Sequence, residues 1–267
     1  MKRTLSAAPF IYVAALMTPV YWLVTMSFKT NGEIAGQLTL FPVAPTLDQY
    51  AVIFSDPDWY FGYINALIYV CLNVAISLLV AIPAAYAFSR HNFFGHRPLF
   101  FGLLAFRMMA PAILLVPFVQ IFSDLDLIDT HIAVALAHCF FNVPLAIWIL
   151  EGFISTVPRE VDQAAQVDGY GALRFFRWIL LPQIAPGIAV TAFYCFMFSW
   201  IEFLLANALT TINAKPIAGI MTRAGGVLVG DFALLAAASV IGLIPGTLLI
   251  IVMRRHLVRG FSMGRIL

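Results

Sequence analysis

The chain has 267 residues, of which 62% are hydrophobic and only 10% are charged, with a formal net charge of +2. Soluble domains carry roughly 25% charged residues, so this composition excludes an ordinary soluble protein and indicates a membrane protein. Nothing in the charge balance favours nucleic acid, and the partner expected from the composition is the lipid bilayer.

Six apolar segments are long enough to cross the hydrocarbon core of a bilayer, which takes about 20 helical residues. The first follows Lys2 and Arg3 as a signal peptide would, but it is longer than a typical signal core and no small-residue cleavage site follows it. We therefore predict an all-α membrane protein with six transmembrane helices. The segments lie near residues 9–28, 63–88, 99–122, 132–151, 184–208 and 232–253.

The distribution of basic residues predicts the orientation, because Lys and Arg are enriched in cytoplasmic loops. With a cytoplasmic N-terminus, the outside loops hold only Lys29, Lys215 and Arg223. Both termini are then cytoplasmic, in a bacterial inner membrane. The inside segments hold Lys2, Arg3, Arg90, Arg97, Arg159, Arg174, Arg177, Arg254, Arg255, Arg259 and Arg265.

The spans suggest three parts: an N-terminal helix with the first external loop (1–61), a transmembrane core (62–254) and a cytoplasmic tail (255–267). The core contains a long inside loop at 153–182. The three cysteines fall singly in different spans, which argues against a disulfide framework and against a metal site.

The inside loop predicts a helix–turn–helix. Ser155 or Thr156 is suited to cap the first helix, Pro158 suits its first turn, and Gly169 suits the left-handed conformation that ends a helix. The second helix, ALRFFRWILL, is expected to stop at Pro182. Such a loop offers a docking surface for a protein; an amphipathic helix that seals the headgroup region is the alternative.

The strings QAAQVDG and LRFFRWILLP resemble the EAA loop of binding-protein-dependent ABC importer permeases. Gln163, Ala164 and Ala165 stand at the EAA positions, Gly169 at the glycine and Leu181 with Pro182 at the ending. Further strings resemble the carbohydrate-type branch, like the smaller subunit of maltose permeases, so the resemblance covers nearly the whole chain. They are RMMAPAILLVPF, DTHIAVALAHCFFNVPLAIWILEGFISTVPRE, FSWIEFLL and HLVRGFSMG.

The resemblance implies the type I ABC importer permease fold, with a loop that inserts into a cleft on a separate ATP-binding subunit. The family glutamate is Gln163 here, which implies either a neutral hydrogen bond to the ATPase or a contact transferred to Asp162. A flat patch for close approach is expected at Ala164 and Ala165. The residues assigned to ATPase coupling are Gln163, Ala164, Ala165, Asp168, Gly169 and Arg174.

The implied partners are a second permease subunit, two ATP-binding subunits and a periplasmic or extracellular solute-binding protein. The chain contains no G-x-x-x-x-G-K-[ST] motif, the loop that cradles ATP phosphates. ATP and Mg²⁺ are therefore expected on the partner ATPase, and the chain itself is expected to be neither an enzyme nor a cofactor-binding protein.

Polar residues inside the predicted spans are candidates for the translocation path, because charged side chains are costly there. Arg107 and Glu202 are of opposite charge, which suggests an ion pair facing the bundle interior. Asn65, Asn142 and Trp200 offer amides and an aromatic face suited to a sugar or polyol. Hydrogen bonding between helices is the alternative for each amide, and for His138 hydrogen-bonded packing is favoured over a ligand role.

We expect ATP-driven uptake of a small neutral polyol or sugar, since an anionic solute would need more positive charge than Arg107 provides. The strings SFKTN, LTTINAKPIAGIMTR and AAYAFSRHNFFG resemble permeases of glycerol importers most, which makes glycerol the narrower expectation. Two alternatives remain open. An ion-coupled secondary transporter would show inverted repeats and intramembrane carboxylates, and a passive channel would need no docking loop.

Overall fold

The computed structural model describes residues 8–36, 38–225 and 230–263, and every regular element in these ranges is helical. Besides α-helices, these ranges contain a 3₁₀ turn (Pro111–Leu114) and a π-helical segment (Phe176–Leu180). In chain order the helices are α1 (Ala8–Met26), α2 (Asn31–Ala35), α3 (Asp48–Ser55), α4 (Pro57–Arg90), α5 (His96–Arg107), α6 (Leu115–Asp124), α7 (His131–Ser155), α8 (Arg159–Val167), α9 (Ala172–Phe175), α10 (Leu181–Gln183), α11 (Ala185–Ile201), α12 (Leu204–Ala208), α13 (Ile217–Gly225) and α14 (Phe232–Met263).

Four described helices, α1, α4, α7 and α14, are each long and apolar enough to cross a membrane alone. Two more spans arise if bent pairs are counted: α5 with Pro111–Asp124, bent by 95°, and Ala172–Gln183 with α11, bent by 83°. The all-helical, six-span fold class is thereby confirmed. The third span is nonetheless not one straight helix, because Pro111 has no N–H to donate and disfavours a helical residue before it.

The chain packs as two compact units, Met1–Ile64 with Pro216–Thr247 and Asn65–Lys215 with Leu248–Leu267. Helix α4 contributes its first turns to one unit and its remaining length to the other. The boundaries at residues 61 and 254 stay a prediction about where the transmembrane core lies. The last four residues of the predicted tail fall outside the described residues.

The first unit has a small apolar core in which α4 and α13 approach closely. A Cβ atom added to Gly62 would lie 3.0 Å from the Ile217 Cα and 3.1 Å from its backbone nitrogen. Only glycine leaves that space, so Gly62 is needed for this contact. The buried core residues are Ile53, Trp59, Ile217, Leu234, Ala237 and Ala238.

In the second unit α4 and α7 run antiparallel, pinned at both ends by polar contacts. The Asn65 Oδ1 atom lies 2.9 Å from His131 Nε2 at one end. The Ser89 and Ser155 hydroxyls lie 3.1 Å apart at the other. Helix α11 packs against α7 as well. The unit therefore has two distinct ends, and the loop that follows α7 lies at the Ser89 end.

Asp129 organises the opposite end. Its backbone N–H donates to the Leu209 carbonyl at 2.8 Å. Its carboxylate accepts from the four backbone N–H groups of residues 211–214 at 2.8 to 3.2 Å, and from the Asn213 amide at 3.0 Å. Burial raises the pKa of the Asp129 carboxyl, but these hydrogen bonds outweigh burial and hold that pKa well below its usual range. Asp129 thus holds residues 209–214 in one folded loop region.

We expect Asp129→Asn to lower the thermal stability of the detergent-solubilised protein, because an amide accepts charge-assisted hydrogen bonds less strongly. A loss of roughly 1–2 kcal/mol is reasonable for such bonds at a partly exposed site. Because the folded-state pKa is lowered, the stabilisation is fully present above the unfolded value of about 3.9 and disappears as pH falls further. The difference between wild type and variant should therefore be equal at pH 7 and pH 5.

The matched control is Asp124→Asn, a substitution of an exposed aspartate just before the same loop. It should leave the unfolding temperature unchanged. An equal decrease in both variants would contradict the special role of Asp129.

Candidate functional site

The loop between α7 and α11 is a helical hairpin. Its first helix, α8, begins after Pro158, which stands at the N-cap position without a side-chain cap. The predicted capping by Ser155 or Thr156 is wrong: Ser155 is the last residue of α7 and donates to Glu151 at 2.6 Å, and Thr156 donates to the Phe153 carbonyl at 2.7 Å. Both hydroxyls are used at the C-terminus of α7, where they satisfy neighbouring acceptors.

The predicted glycine stop at the end of α8 is confirmed. Gly169 has a φ of 74°, in the left-handed region that favours glycine. Its N–H donates to the Gln166 carbonyl at 3.1 Å, and the Tyr170 N–H donates to the Ala165 carbonyl at 2.9 Å. This pair of bonds is a Schellman motif, which satisfies the last carbonyls of the helix and turns the chain sharply.

The second limb of the hairpin consists of α9, the π-helical segment and α10. The prediction that Pro182 stops it after Leu181 is wrong by two residues, since α10 includes Pro182 and ends at Gln183. Proline is tolerated in the first turn of a helix because its missing N–H has no intrahelical partner there. The chain then bends by 83° into α11.

The residues assigned to ATPase coupling divide by exposure. Ala165 is 3% exposed and belongs to the apolar core of the second unit, so the expected flat patch of two alanines is wrong: Ala164 alone faces outward. Beside the turn, Val167 is 88% exposed and Leu173 is 84% exposed. We call the outward-facing set the hairpin surface; it comprises Gln163, Ala164, Val167, Asp168, Gly169, Leu173 and Arg174.

Asp162 points away from the hairpin surface. It is buried, and its Oδ1 accepts from the Tyr86 hydroxyl at 2.7 Å. Its Oδ2 forms an ion pair with Arg90 at 3.0 Å. The carboxylate is therefore held inside the chain. The alternative in which Asp162 replaces the family glutamate at the ATPase is wrong for this structure.

Two of the path candidates make hydrogen bonds between elements. Asn142 donates to Asn73 Oδ1 at 2.7 Å and to the Cys195 carbonyl at 3.1 Å, and so joins α7 to α4 and α11. Asn65 donates to the Asn213 and Lys215 carbonyls at 3.0 and 3.1 Å. Both amides are buried. In this conformation they link helices and loops, and contact with a solute stays a prediction.

Glu202 pairs with His138, not with Arg107. Its Oε2 lies 3.0 Å from His138 Nε2, while His138 Nδ1 lies 2.6 Å from the Ser199 hydroxyl. Glu202 also accepts from the Leu205 N–H at 3.1 Å, at the start of α12. The hypothesis of an Arg107–Glu202 pair is therefore wrong.

Arg107 has a different neighbour, with its guanidinium carbon 4.4 Å from the centre of the Phe198 ring. Trp200 stacks on Phe196, with ring centres 5.8 Å apart.

One signal in the sequence points to His138 as the partner of Glu202. Glu202 directly follows α11 and lies three residues after Ser199, so one two-nitrogen ring opposite them reaches both.

A double-mutant cycle tests the pairing of Glu202 with His138. We expect His138→Gln and Glu202→Gln to be coupled by about 1–3 kcal/mol in reversible unfolding in mixed micelles, because each removal leaves the other group buried without its partner. The control cycle combines Arg107→Gln with Glu202→Gln and should be additive within about 0.5 kcal/mol. Strong coupling in the control cycle, with none in the first, would restore the Arg107–Glu202 pair.

Comparison with known proteins agrees with this architecture. The family described as "Binding-protein-dependent transport system inner membrane component" matches residues 74–263. The sulfoquinovosyl glycerol transport system permease protein of Agrobacterium fabrum is 30% identical over 97% of this chain and 91% of its own length. The trehalose transport system permease protein of Mycobacterium tuberculosis is 28% identical over 96% of this chain and 94% of its own.

The fold has a solved counterpart as well. A chain of a bacterial ABC transporter involved in the import of the acidic polysaccharide alginate aligns over 95% of both chains, with a TM-score of 0.79 and 19% identity. At that identity the likeness establishes the fold alone. The family match covers most of the chain, and the chain belongs to the binding-protein-dependent transport system inner membrane components.

Proposed function

We propose that this chain is a permease subunit of an ATP-driven importer and that the hairpin surface docks on a separate ATP-binding subunit. The observation that carries the proposal is the exposure of Val167 and Leu173, at 88% and 84%, on the two sides of the turn. Apolar side chains so exposed at a loop tip stabilise nothing in the chain itself. A partner protein that covers them gains from their burial.

The surroundings of these side chains favour a protein partner over the membrane surface. Gln163 and Asp168 are exposed beside them, and an acidic side chain is disfavoured at an anionic lipid surface. The rigid Schellman turn and the buried Ala165 hold the tip in one conformation. A preorganised surface of this kind loses little entropy when a partner binds.

The position of the arginines supports a cytoplasmic hairpin. Arg90 lies at the same end of the second unit as the hairpin, and the hairpin itself contributes Arg159, Arg174 and Arg177. Basic residues are enriched on the cytoplasmic side, where ATP is available. Both termini would then be cytoplasmic. The ATP-binding subunit would hold ATP and Mg²⁺, and this chain would hydrolyse nothing.

The remaining partners are a second permease subunit, a second ATP-binding subunit and an external solute-binding protein. The alginate ABC transporter has a structure in complex with an alginate-pentasaccharide-bound periplasmic protein, which supports the last of these. An ion-coupled transporter or a passive channel leaves the exposed hairpin unexplained.

The solute is best described as a small neutral carbohydrate or polyol. Relatives are named for sulfoquinovosyl glycerol, diacetylchitobiose and trehalose, which favours the carbohydrate class. Inside the second unit the Glu202 carboxylate faces His138, and the Arg107 guanidinium lies over an aromatic ring. Among the described residues of this interior, no cluster of one charge is present for an ionic solute. Glycerol remains the narrower candidate.

The test is mass spectrometry of the complex that co-purifies with the tagged chain from gently solubilised native membranes. We expect the complex to contain an ATP-binding subunit and a second permease subunit. The solute-binding protein that accompanies the complex is then titrated with glycerol, trehalose and chitobiose. Recovery of the chain alone, with crosslinking also negative, would favour the secondary transporter or the channel instead.

We expect Gly169→Val to reduce ATP-dependent uptake by the reconstituted complex at least about tenfold. A β-branched residue is strained at a φ of 74°, so the Schellman turn must reorganise and the hairpin surface with it. The matched control is Gly171→Val, since Gly171 has a φ of −69°. At both positions an added Cβ meets nothing within 4 Å, so the two variants differ in backbone strain.

The control should keep uptake within about twofold of wild type, since its backbone conformation is open to any residue. Equal uptake by both variants would show that the turn conformation is not needed for transport, as expected of a channel.

A further inference from the structure

We propose that Tyr86, Arg90 and Asp162 form a latch that fixes the coupling helix α8 to the end of α4, so that movement of the hairpin on the ATPase is transmitted to the transmembrane bundle. The inference rests on the proposed function and identifies the residues that transmit the movement. We use the word latch for these three residues only.

The latch joins three places in the chain through one buried carboxylate. The Tyr86 hydroxyl donates to Asp162 Oδ1 at 2.7 Å, and Arg90 Nη2 lies 3.0 Å from Asp162 Oδ2. The same Arg90 nitrogen donates to the Val157 carbonyl at 2.8 Å, just before α8 begins. The side chains of Arg90 and Asp162 are only 7% and 10% exposed.

The geometry fixes the rotation of α8 as well as its position. Tyr86 and Arg90 are four residues apart on α4 and therefore lie on one helix face, one turn apart. Each holds a different oxygen of the Asp162 carboxylate. Two points of attachment on one side chain, with a third at Val157, resist both sliding and rotation of α8 against α4.

Stability alone does not account for this arrangement. A buried ion pair costs desolvation of both charges, and apolar residues of similar size often hold helices together as well or better. The latch also leaves Arg90 Nε and Asp162 Oδ2 without an aligned hydrogen bond. A directional connection is what the charged pair adds to the apolar contacts around it.

A partly open pocket beside the latch gives the second limb of the hairpin room to move. It has a volume of about 200 Å³ and lies between α4, α8 and the second limb. Gln166 and Tyr170 in its lining are exposed, so the pocket is open on one side and the side chains that line it have room to shift. Its lining includes Tyr86, Asp162, Gln166, Tyr170, Phe175 and Phe176.

The latch also bears on position 163, where this chain has Gln163 and the family pattern has glutamate. Gln163 is exposed on the hairpin surface, whereas the neighbouring Asp162 is buried. The Asp162 carboxylate is thus used within the chain, and the side chain offered to the ATPase at position 163 is neutral.

The test measures solute uptake per ATP hydrolysed in proteoliposomes that contain the complete complex. We expect Asp162→Asn and Arg90→Gln to retain the ATP-binding subunit and to lower uptake per ATP about five- to fiftyfold, the range typical of coupling between sites. The double variant should be no worse than the worse single variant, because both remove one connection.

The matched control is Arg159→Gln, which removes an exposed hydrogen bond of 3.3 Å from α8 to the Ser89 carbonyl of α4. It joins the same two helices, and its uptake per ATP should stay within about twofold of wild type. If a single latch variant fails to assemble, uptake per ATP is measured for the Tyr86→Phe variant instead. It keeps the ion pair, and we expect uptake per ATP to fall about two- to fivefold.

A purely structural role would lower uptake and ATP hydrolysis together, in proportion to the amount of complex. That result, or an unchanged ratio in assembled latch variants, would overturn the latch. Absence of the ATP-binding subunit from the wild-type preparation would instead overturn the proposed function, and the latch with it.

Discussion

The whole second unit depends on one constraint: a polar side chain inside an apolar bundle must find its hydrogen-bond partner within the chain. Lipid tails offer no donors or acceptors, and an unpaired polar group there costs several kcal/mol. Asn142 therefore binds Asn73 and the Cys195 carbonyl, and Glu202 faces His138. These contacts select one register among α4, α7 and α11, which apolar surfaces alone would leave free to slide. The positions of both loop regions follow from that register.

At each end of this pinned bundle, one aspartate organises a loop. Asp129 is surrounded by backbone N–H groups and gathers residues 211–214 around itself. Asp162 is held by Tyr86 and Arg90 and attaches the hairpin to α4. The two sites differ in kind. A carboxylate bound by backbone groups stabilises one loop conformation, whereas a carboxylate shared between two helices transmits force between them.

Much of this architecture is predictable from the sequence because it depends on local signals. Apolar length predicts the spans, and Gly169 predicts the turn because few other residues tolerate its φ. The pairings across helices were not predictable, since they depend on packing register. Charge complementarity alone predicts Arg107 as the partner of Glu202, although His138 is the residue that faces Glu202. The burial of Asp162 is not predictable for the same reason: the sequence shows only an acid in the first turn of α8, and the tertiary structure shows that Arg90 faces it.

The same constraint bears on solute recognition. The amide groups of Asn65 and Asn142 each donate two hydrogen bonds within the chain, and the Glu202 carboxylate caps α12 while facing His138. A hydroxylated solute would have to displace these partners, and each displaced buried group would lose a bond worth about 1 kcal/mol or more. Direct recognition by these residues therefore requires the helices to separate first. In this conformation, the polar residues inside the chain hold its helices in register. Solute contacts are therefore expected to come mainly from other surfaces of the assembled importer.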